Sequence, residues 1–200
     1  MTSCHHAISV HLADHSDQYR WDNYVLHHPD SSSYHLFAWK YAVEESYGHS
    51  CHYLYSENQG QLVGVLPLIH LKFLGVVDEL VALPYCDVGN CLCDSEIVQD
   101  ALLQKAFRLR NTLNIRGMSL RGPLKETALK NTLLQSVPSE KVRMLLNLPS
   151  SSAELFAGFK SKLRSQIHKA EKNRINFKWG TVEQLDDLYS VFSRNMHDLG

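Results

Sequence analysis

The stretch CHYLYSENQGQLVGVLPLIHLK, Cys51 to Lys72, decides the fold. Cys51–Glu57 is a short run suited to a strand, and Gln61–Lys72 is a second apolar run. Asn58-Gln59-Gly60 between them is turn chemistry, so the pair predicts a β-hairpin. Pro67 inside the second run predicts a bulge or an N–H that the neighbouring strand does not need. Val76–Leu83 predicts a third strand, closed by Pro84.

Outward from the hairpin, alternation at Ile8, Val10 and Leu12 predicts a strand over 7–13. Residues 15–27 read as a weak helix. Ser31–Ser33 can cap an aromatic-rich helix that Gly48 stops. Downstream, Asp94 offers an N-cap to a helix carrying Ile97, Val98, Ala101, Leu102, Ala106, Leu109 and Leu113 at helical spacing. Gly117–Arg121 predicts a short strand and Pro123–Gln135 a helix with Pro in its first turn. Val142, Met144, Leu146 and Leu148 alternate and predict a strand over 141–148. The order is β-α-α-β-β-β-α-β-α-β, which fits one α/β domain over 1–150.

Ser151 and Glu154 are spaced as a capping box for a helix with the stripe Leu155, Phe156, Phe159, Leu163, Ile167 and Ala170. This is the basic segment: residues 160–178 hold seven Lys or Arg against the single acid Glu171, in a chain of net charge −1. Any anion is therefore met locally, and the chain is not a general nucleic-acid coater. Ile175, Phe177 and Trp179 predict a strand whose partner is not visible, which leaves pairing with another copy open. Thr181 and Gln184 predict the cap of a last amphipathic helix. A strand and helix after a complete domain read as the opening of a second one.

Apolar residues make up 44% of the 200, as in a globular core. No apolar run is long enough to span a membrane, and no signal-peptide pattern opens the chain, so a cytoplasmic location is the default. The five cysteines do not form a disulfide framework. The spacing of Cys86, Cys91 and Cys93 is not that of a structural zinc site, and no metal is expected.

Five segments together resemble the Fem-type (FemAB-like) transferases, in the branch associated with exosortase and exopolysaccharide loci. They are SYHLFAWKYAVEESYGHSCHYL (33–54), GVLPLIHLKFLG (64–75), LVALPYCDVGN (80–90), KSKLRSQIHKAEK (160–172) and FSRNMHDLG (192–200). The resemblance implies two tandem GNAT-like (acyl-CoA N-acyltransferase type) domains, each a mixed sheet flanked by helices. Residues 1–150 would be the first, 151–173 a basic connecting helix, and 174–200 the start of a truncated second. It also implies transfer of an aminoacyl or acyl group to an amine of a cell-wall, peptidoglycan or exopolysaccharide precursor. No cofactor is implied beyond a co-substrate such as aminoacyl-tRNA or another acyl donor. The sequence departs from the family pattern at His168, Asn173-Arg174 and Asn90.

Such donors and precursors carry phosphates, which Arg grips as a fork and Lys as a point charge. Lys162, Arg164, Lys169 and Lys172 are the phosphate-binding candidates, against the plainer reading of a solvated face. Tyr85 is a stacking or hydrogen-bonding candidate. Asp87 is the candidate to accept a proton from the amine, against a turn cap. Lys40, beside Trp39, is a weaker phosphate candidate, and Arg121 stands between a loop salt bridge and a ligand. No Ser-His-Asp or Cys-His pattern announces a covalent route, so direct transfer is the simpler mechanism. The acetyl-coenzyme A loop R/Q-x-x-G-x-G/A is absent. The rival readings are a non-catalytic module that holds a nucleotide-sugar or tRNA, and a GNAT acyltransferase fed by acyl-CoA or an acyl carrier protein.

Overall fold

The computed structural model describes residues 8–73, 75–127, 132–138, 140–142, 144–176 and 178–200. The chain divides into two compact units, Met1–Arg143 and Met144–Gly200.

The first unit is a mixed α/β sheet covered by helices on both faces, the class expected. Strands β1 (Ser9–Leu12), β2 (Ser50–Asn58), β3 (Gln61–Phe73) and β4 (Val77–Ala82) lie side by side, each antiparallel to the next. Helix α3 (Glu96–Thr112) then carries the chain to β6 (Gly117–Ser119), which pairs parallel to β4. The β2–β3 hairpin turns through Gln59 and Gly60 with φ of 52° and 78°, the two left-handed residues a tight hairpin turn requires.

Period-two alternation sorts the strand side chains onto two faces. Leu54, Leu66, Leu68, Leu80 and Ala82 point to one side, against Val98, Leu102 and Ala106 of α3. Tyr53, Tyr55, Val65 and Ile69 point to the other, against Trp21 and Val25 of α1 (Gln18–His27) and Phe37 and Val43 of α2 (Phe37–Tyr47). Burying each of the larger side chains contributes roughly 1.5–3 kcal/mol. Helix α3 sits close because β3 offers Gly64 beneath it. A Cβ there would lie 2.5 Å from Val98 Cγ1.

The helix predicted after Asp94 is present, but its cap is Ser95, whose hydroxyl accepts from the Val98 N–H. The Asp94 carboxylate instead accepts from the Tyr24 hydroxyl at 2.7 Å. Ile97 is off the packed face and 69% exposed, while Gln99 and Leu103 are buried. Gln99 needs partners there, and bonds the Lys125 N–H and C=O at 2.8 Å each.

The stretch after β6 departs from expectation at the start of its helix and in its strand. Residues 123–127 are irregular, held in part by Gln99; 128–131 lie outside the described residues; Thr132 and Leu133 are helical. No strand forms among the described residues of 141–148, and Val142, Met144, Leu146 and Leu148 are 65–87% exposed. An alternating pattern becomes a strand only where an edge supplies its hydrogen bonds. Among the described residues, no sheet edge pairs with 141–148.

In the second unit the expected single basic helix is two. Helix α4 (Ser152–Gly158) is capped by the Ser151 hydroxyl, which accepts from the Glu154 N–H at 3.2 Å. It stops before Phe159, whose backbone is extended, and α5 (Ser161–Lys172) begins after Lys160. Ile175 and Trp179 are in irregular backbone and 68% and 94% exposed, so the strand expected there is absent; Phe177 lies outside the described residues. Thr181 and Gln184 do form a capping box, on a 3-10 turn that leads into α6 (Leu185–Leu199). Among the described residues, no helix is long and apolar enough to cross a membrane.

Candidate functional site

The site grows from an interruption in the sheet. β4 pairs with β3 as far as Ala82 opposite Leu68. The chain then leaves, and returns as β5 (Leu92–Cys93) on the same side of β3, opposite Val65 and Gly64. Leu66 and Pro67 face the gap, so Pro67 sits where the strand on that side has left, as its missing N–H requires.

The excursion, residues 83–91, is fixed at three points. The Arg121 guanidinium donates to the Leu83 carbonyl at 2.6 Å. The Gly89 and Arg121 backbones exchange a pair of hydrogen bonds of 2.6 and 2.5 Å. Gly89 also presses on β4, where a Cβ would stand 1.9 Å from the Ala82 carbonyl oxygen. The buried imidazole of His35 packs beside Asn90 at the far end of the loop. Its Nδ1 accepts from the Ser32 N–H at 3.2 Å, while Nε2 lies near the Asn90 backbone without completing a hydrogen bond. Burial holds the ring neutral, with a pKa lowered to about 4.

Between these anchors the backbone is bent. Leu83 and Tyr85, either side of Pro84, have φ of 46° and 68°. Such values cost a bulky side chain about 1–2 kcal/mol. Leu83 is fully buried, but the Tyr85 ring is 55% exposed. It stacks on Tyr47 at a centroid distance of 4.8 Å and an angle of 24°. Its hydroxyl bonds His49 Nε2 at 2.9 Å. Burial, then the proximity of Tyr47, raises its pKa. Asp87 is exposed, and among the described residues it enters no ion pair or side-chain hydrogen bond. Its carboxylate is free to accept a proton or a hydroxyl.

Of the residues the sequence singled out, Tyr85, Asp87 and Arg121 meet at this loop. Arg121 gives one guanidinium N–H to the backbone there, and among the described residues it forms no salt bridge. Lys40 is buried, and both Glu44 oxygens hold its ammonium at 2.8 and 2.9 Å. A phosphate would have to displace that carboxylate.

The basic candidates lie in the second unit and divide. Arg164 Nη1 donates to the Ala157 and Phe159 carbonyls at 3.0 and 2.9 Å, satisfying the end of α4. At 3.6 residues per turn, Lys162 and Lys169 fall about 20° apart on α5, with Lys172 about 60° further round. Arg164 falls about 160° from Lys162 on the same reckoning. The four do not share one face; three lysines do.

Sequence reasoning missed Tyr47, His49 and His35. The pattern Tyr-Gly-His across a helix stop, just before a strand, was the available signal for the first two. Gly48, at φ 67°, ends α2 and brings both rings to one end of the sheet. Among the described residues, no group of three or more His, Cys, Asp or Glu is placed to hold a metal ion. Cys51, Cys86, Cys91 and Cys93 are free thiols. Burial is the main cause that pushes Cys51 up to about 12 and Cys86 up to about 11.

No protein-family model matches the chain, and no curated protein matches it either. Three solved structures are similar in part. A ribosomal-protein-alanine N-acetyltransferase from Brucella melitensis is 12% identical, with a TM-score of 0.46, over 70% of this chain and 100% of that one. A GNAT family acetyltransferase from Brucella melitensis in complex with acetyl-CoA is 14% identical, with a TM-score of 0.48, over 66% and 85%. A GNAT family acetyltransferase from Staphylococcus aureus is 11% identical, with a TM-score of 0.45, over 69% and 99%. The α/β class of this chain rests on its own strand order.

Proposed function

We propose that the chain is an acyltransferase of the FemAB-like type, moving an aminoacyl or acyl group to an amine of a cell-wall or exopolysaccharide precursor. The observation that carries this reading is a convergence. Two of the segments that carry the resemblance, 33–54 and 80–90, meet at one end of the sheet. They supply Tyr47 and His49 on one side and Tyr85 on the other, with the exposed Asp87 two residues further along the loop. Separate pieces of sequence that build one exposed polar and aromatic surface are more than packing needs.

In the reaction the amine nitrogen attacks the acyl carbon, a C–N bond forms, and the ester C–O bond of the donor breaks. The donor alcohol leaves with a proton, and the nitrogen gives up its own. Asp87 is the acceptor of that nitrogen proton. Lys162, Lys169 and Lys172 hold donor or precursor phosphates. An ester donor is favoured over acyl-CoA. The segment between β4 and α3 lies back on β3 and on Arg121, rather than opening a glycine-rich phosphate loop.

The test offers the purified chain a labelled aminoacyl-tRNA, an acyl-CoA or an acyl carrier protein thioester, each with an amino-sugar precursor. Amide-linked label from the first donor supports the reading, and Asp87→Asn then slows it by about 10²–10⁴-fold. Label that free coenzyme A suppresses assigns the donor to the acyl-CoA class. Binding with no product under any donor leaves a non-catalytic module.

A further inference from the structure

We infer that Tyr47, His49 and Tyr85, with Asp87 two residues along the loop, form a platform for a pyranose ring, the sugar of the acceptor. The inference deepens the proposed function and rests on its reading of the acceptor as a glycan precursor.

Tyr85 is costly where it stands. Its φ of 68° is left-handed, a conformation glycine adopts freely and an aromatic residue does not. Strain of that kind persists where the surroundings enforce it. Here Arg121 grips the preceding turn at Leu83, and Gly89 ties the loop to the strand beyond. A ring placed for stability would be buried in return, yet Tyr85 is 55% exposed and Tyr47 is 59% exposed. The loop presents the ring outward.

Tyr47, His49 and Tyr85 lie 4.8, 5.9 and 6.3 Å apart by ring centroids, with interplanar angles of 10–24°. Three rings so nearly parallel share an orientation, and the His49–Tyr85 hydrogen bond fixes it. The negative face of an aromatic ring attracts partly positive C–H bonds. A pyranose offers a row of these on one side and hydroxyls around its rim.

The segments that build the platform contribute Glu44, Glu45 and Asp87. Against these three acids the two segments hold one Lys or Arg, Lys40, which is paired with Glu44; Arg121 lies outside them and gives one N–H to the Leu83 carbonyl. A phosphate meets net negative charge in these segments, whereas a sugar hydroxyl finds the carboxylate of Asp87. The surface therefore selects the sugar ring over the nucleotide of an activated precursor.

The experiment is saturation-transfer NMR on the whole chain, with the disaccharide of N-acetylglucosamine and, separately, uridine monophosphate. The expected result is transfer to sugar C–H protons and none to the nucleotide. Tyr85→Gly and Tyr47→Ala each raise the sugar Kd several-fold to about tenfold, the scale of one aromatic contact. Tyr85→Phe, which keeps the ring and loses only the hydroxyl, binds nearly as the parent does. Tyr85→Gly melts close to the parent temperature, because the relieved backbone strain offsets the lost stack and the greater freedom of Gly in the unfolded chain. Transfer to the nucleotide alone, or to neither ligand, overturns the inference. So does a Tyr85→Gly chain that melts well below the parent, which would make the ring structural. Sugar binding without acyl transfer keeps the platform and removes the proposed function. Transfer that Tyr85→Gly leaves unchanged keeps the function and removes the platform.

Discussion

Acid should destabilise the first unit through His35 by a calculable amount. The imidazole is fully buried, and its folded pKa is about 4 against about 6.5 in an unfolded chain. The unfolded state therefore binds the extra proton first as pH falls, and stability drops between these two values. Integrating the linkage from about pH 7.5 to about pH 4.5 gives a loss of about 2.5 kcal/mol from this one group. Carboxylates titrate over the same range, so the comparison needs a His35→Gln chain, which retains them and cannot protonate at 35. Trp21 reports the event, since it is fully buried and its indole N–H donates to the His35 carbonyl at 2.7 Å. In urea titrations, the parent midpoint should fall by roughly 1 M more than the variant midpoint between the two pH values. Parallel shifts in the two chains would show that His35 is not a neutral buried ring, and would undo the packing argument for the Asn90 end of the loop.

Other outcomes follow from the same geometry. Gly64→Ala places a Cβ 2.5 Å from Val98 Cγ1 and 2.8 Å from Ser56 Oγ, so chemical denaturation should show a loss of about 1–3 kcal/mol. Arg121→Ala removes the bond to the Leu83 carbonyl and leaves the backbone pair with Gly89, so amide exchange should quicken around 83–86 with little change at 92–93. Arg164→Ala should lower the helicity of a 144–200 signal set in NMR without altering phosphate affinity, whereas Lys162→Ala with Lys169→Ala should weaken a phosphate polymer and flatten its salt dependence. With thiols pushed up to about 12 and about 11, Cys51 and Cys86 should alkylate slowly at neutral pH and rapidly in urea, as peptide mass spectrometry can follow.

The sheet was legible because its signals are local. The Asn58-Gln59-Gly60 turn and the runs beside it specify a hairpin without reference to anything distant, and Gly48 ends α2 where the pattern says. What failed depended on a partner. Alternation at Val142, Met144, Leu146 and Leu148 matches β6-like residues in character, but strand formation needs an unpaired edge that sequence alone does not locate. The basic run looked like one helix because charge spacing survives the break at Phe159, and the break itself is a backbone event. Arg121, as a ligand or salt-bridge partner, and Lys40, as a phosphate candidate, both turn out to serve groups of the chain itself. Their carbonyl and carboxylate partners lie 38 and 4 residues away, and the nearer one was visible as an i,i+4 pair. The site was half legible: Tyr85 and Asp87 stand out in a loop after a strand, while Tyr47 and His49 join them only once the sheet has folded.

Because β3 receives the returning chain at Val65, across a gap of only Leu66 and Pro67 from where it releases it at Leu68, residues 83–91 behave as a parenthesis in an otherwise continuous pairing. Both brackets are anchored by main-chain pairing, whose geometry is indifferent to what is written between them. Insertions or replacements inside that parenthesis would leave the register of the sheet untouched while rewriting the surface it displays. A scaffold of this kind can change what it recognises without learning to fold again.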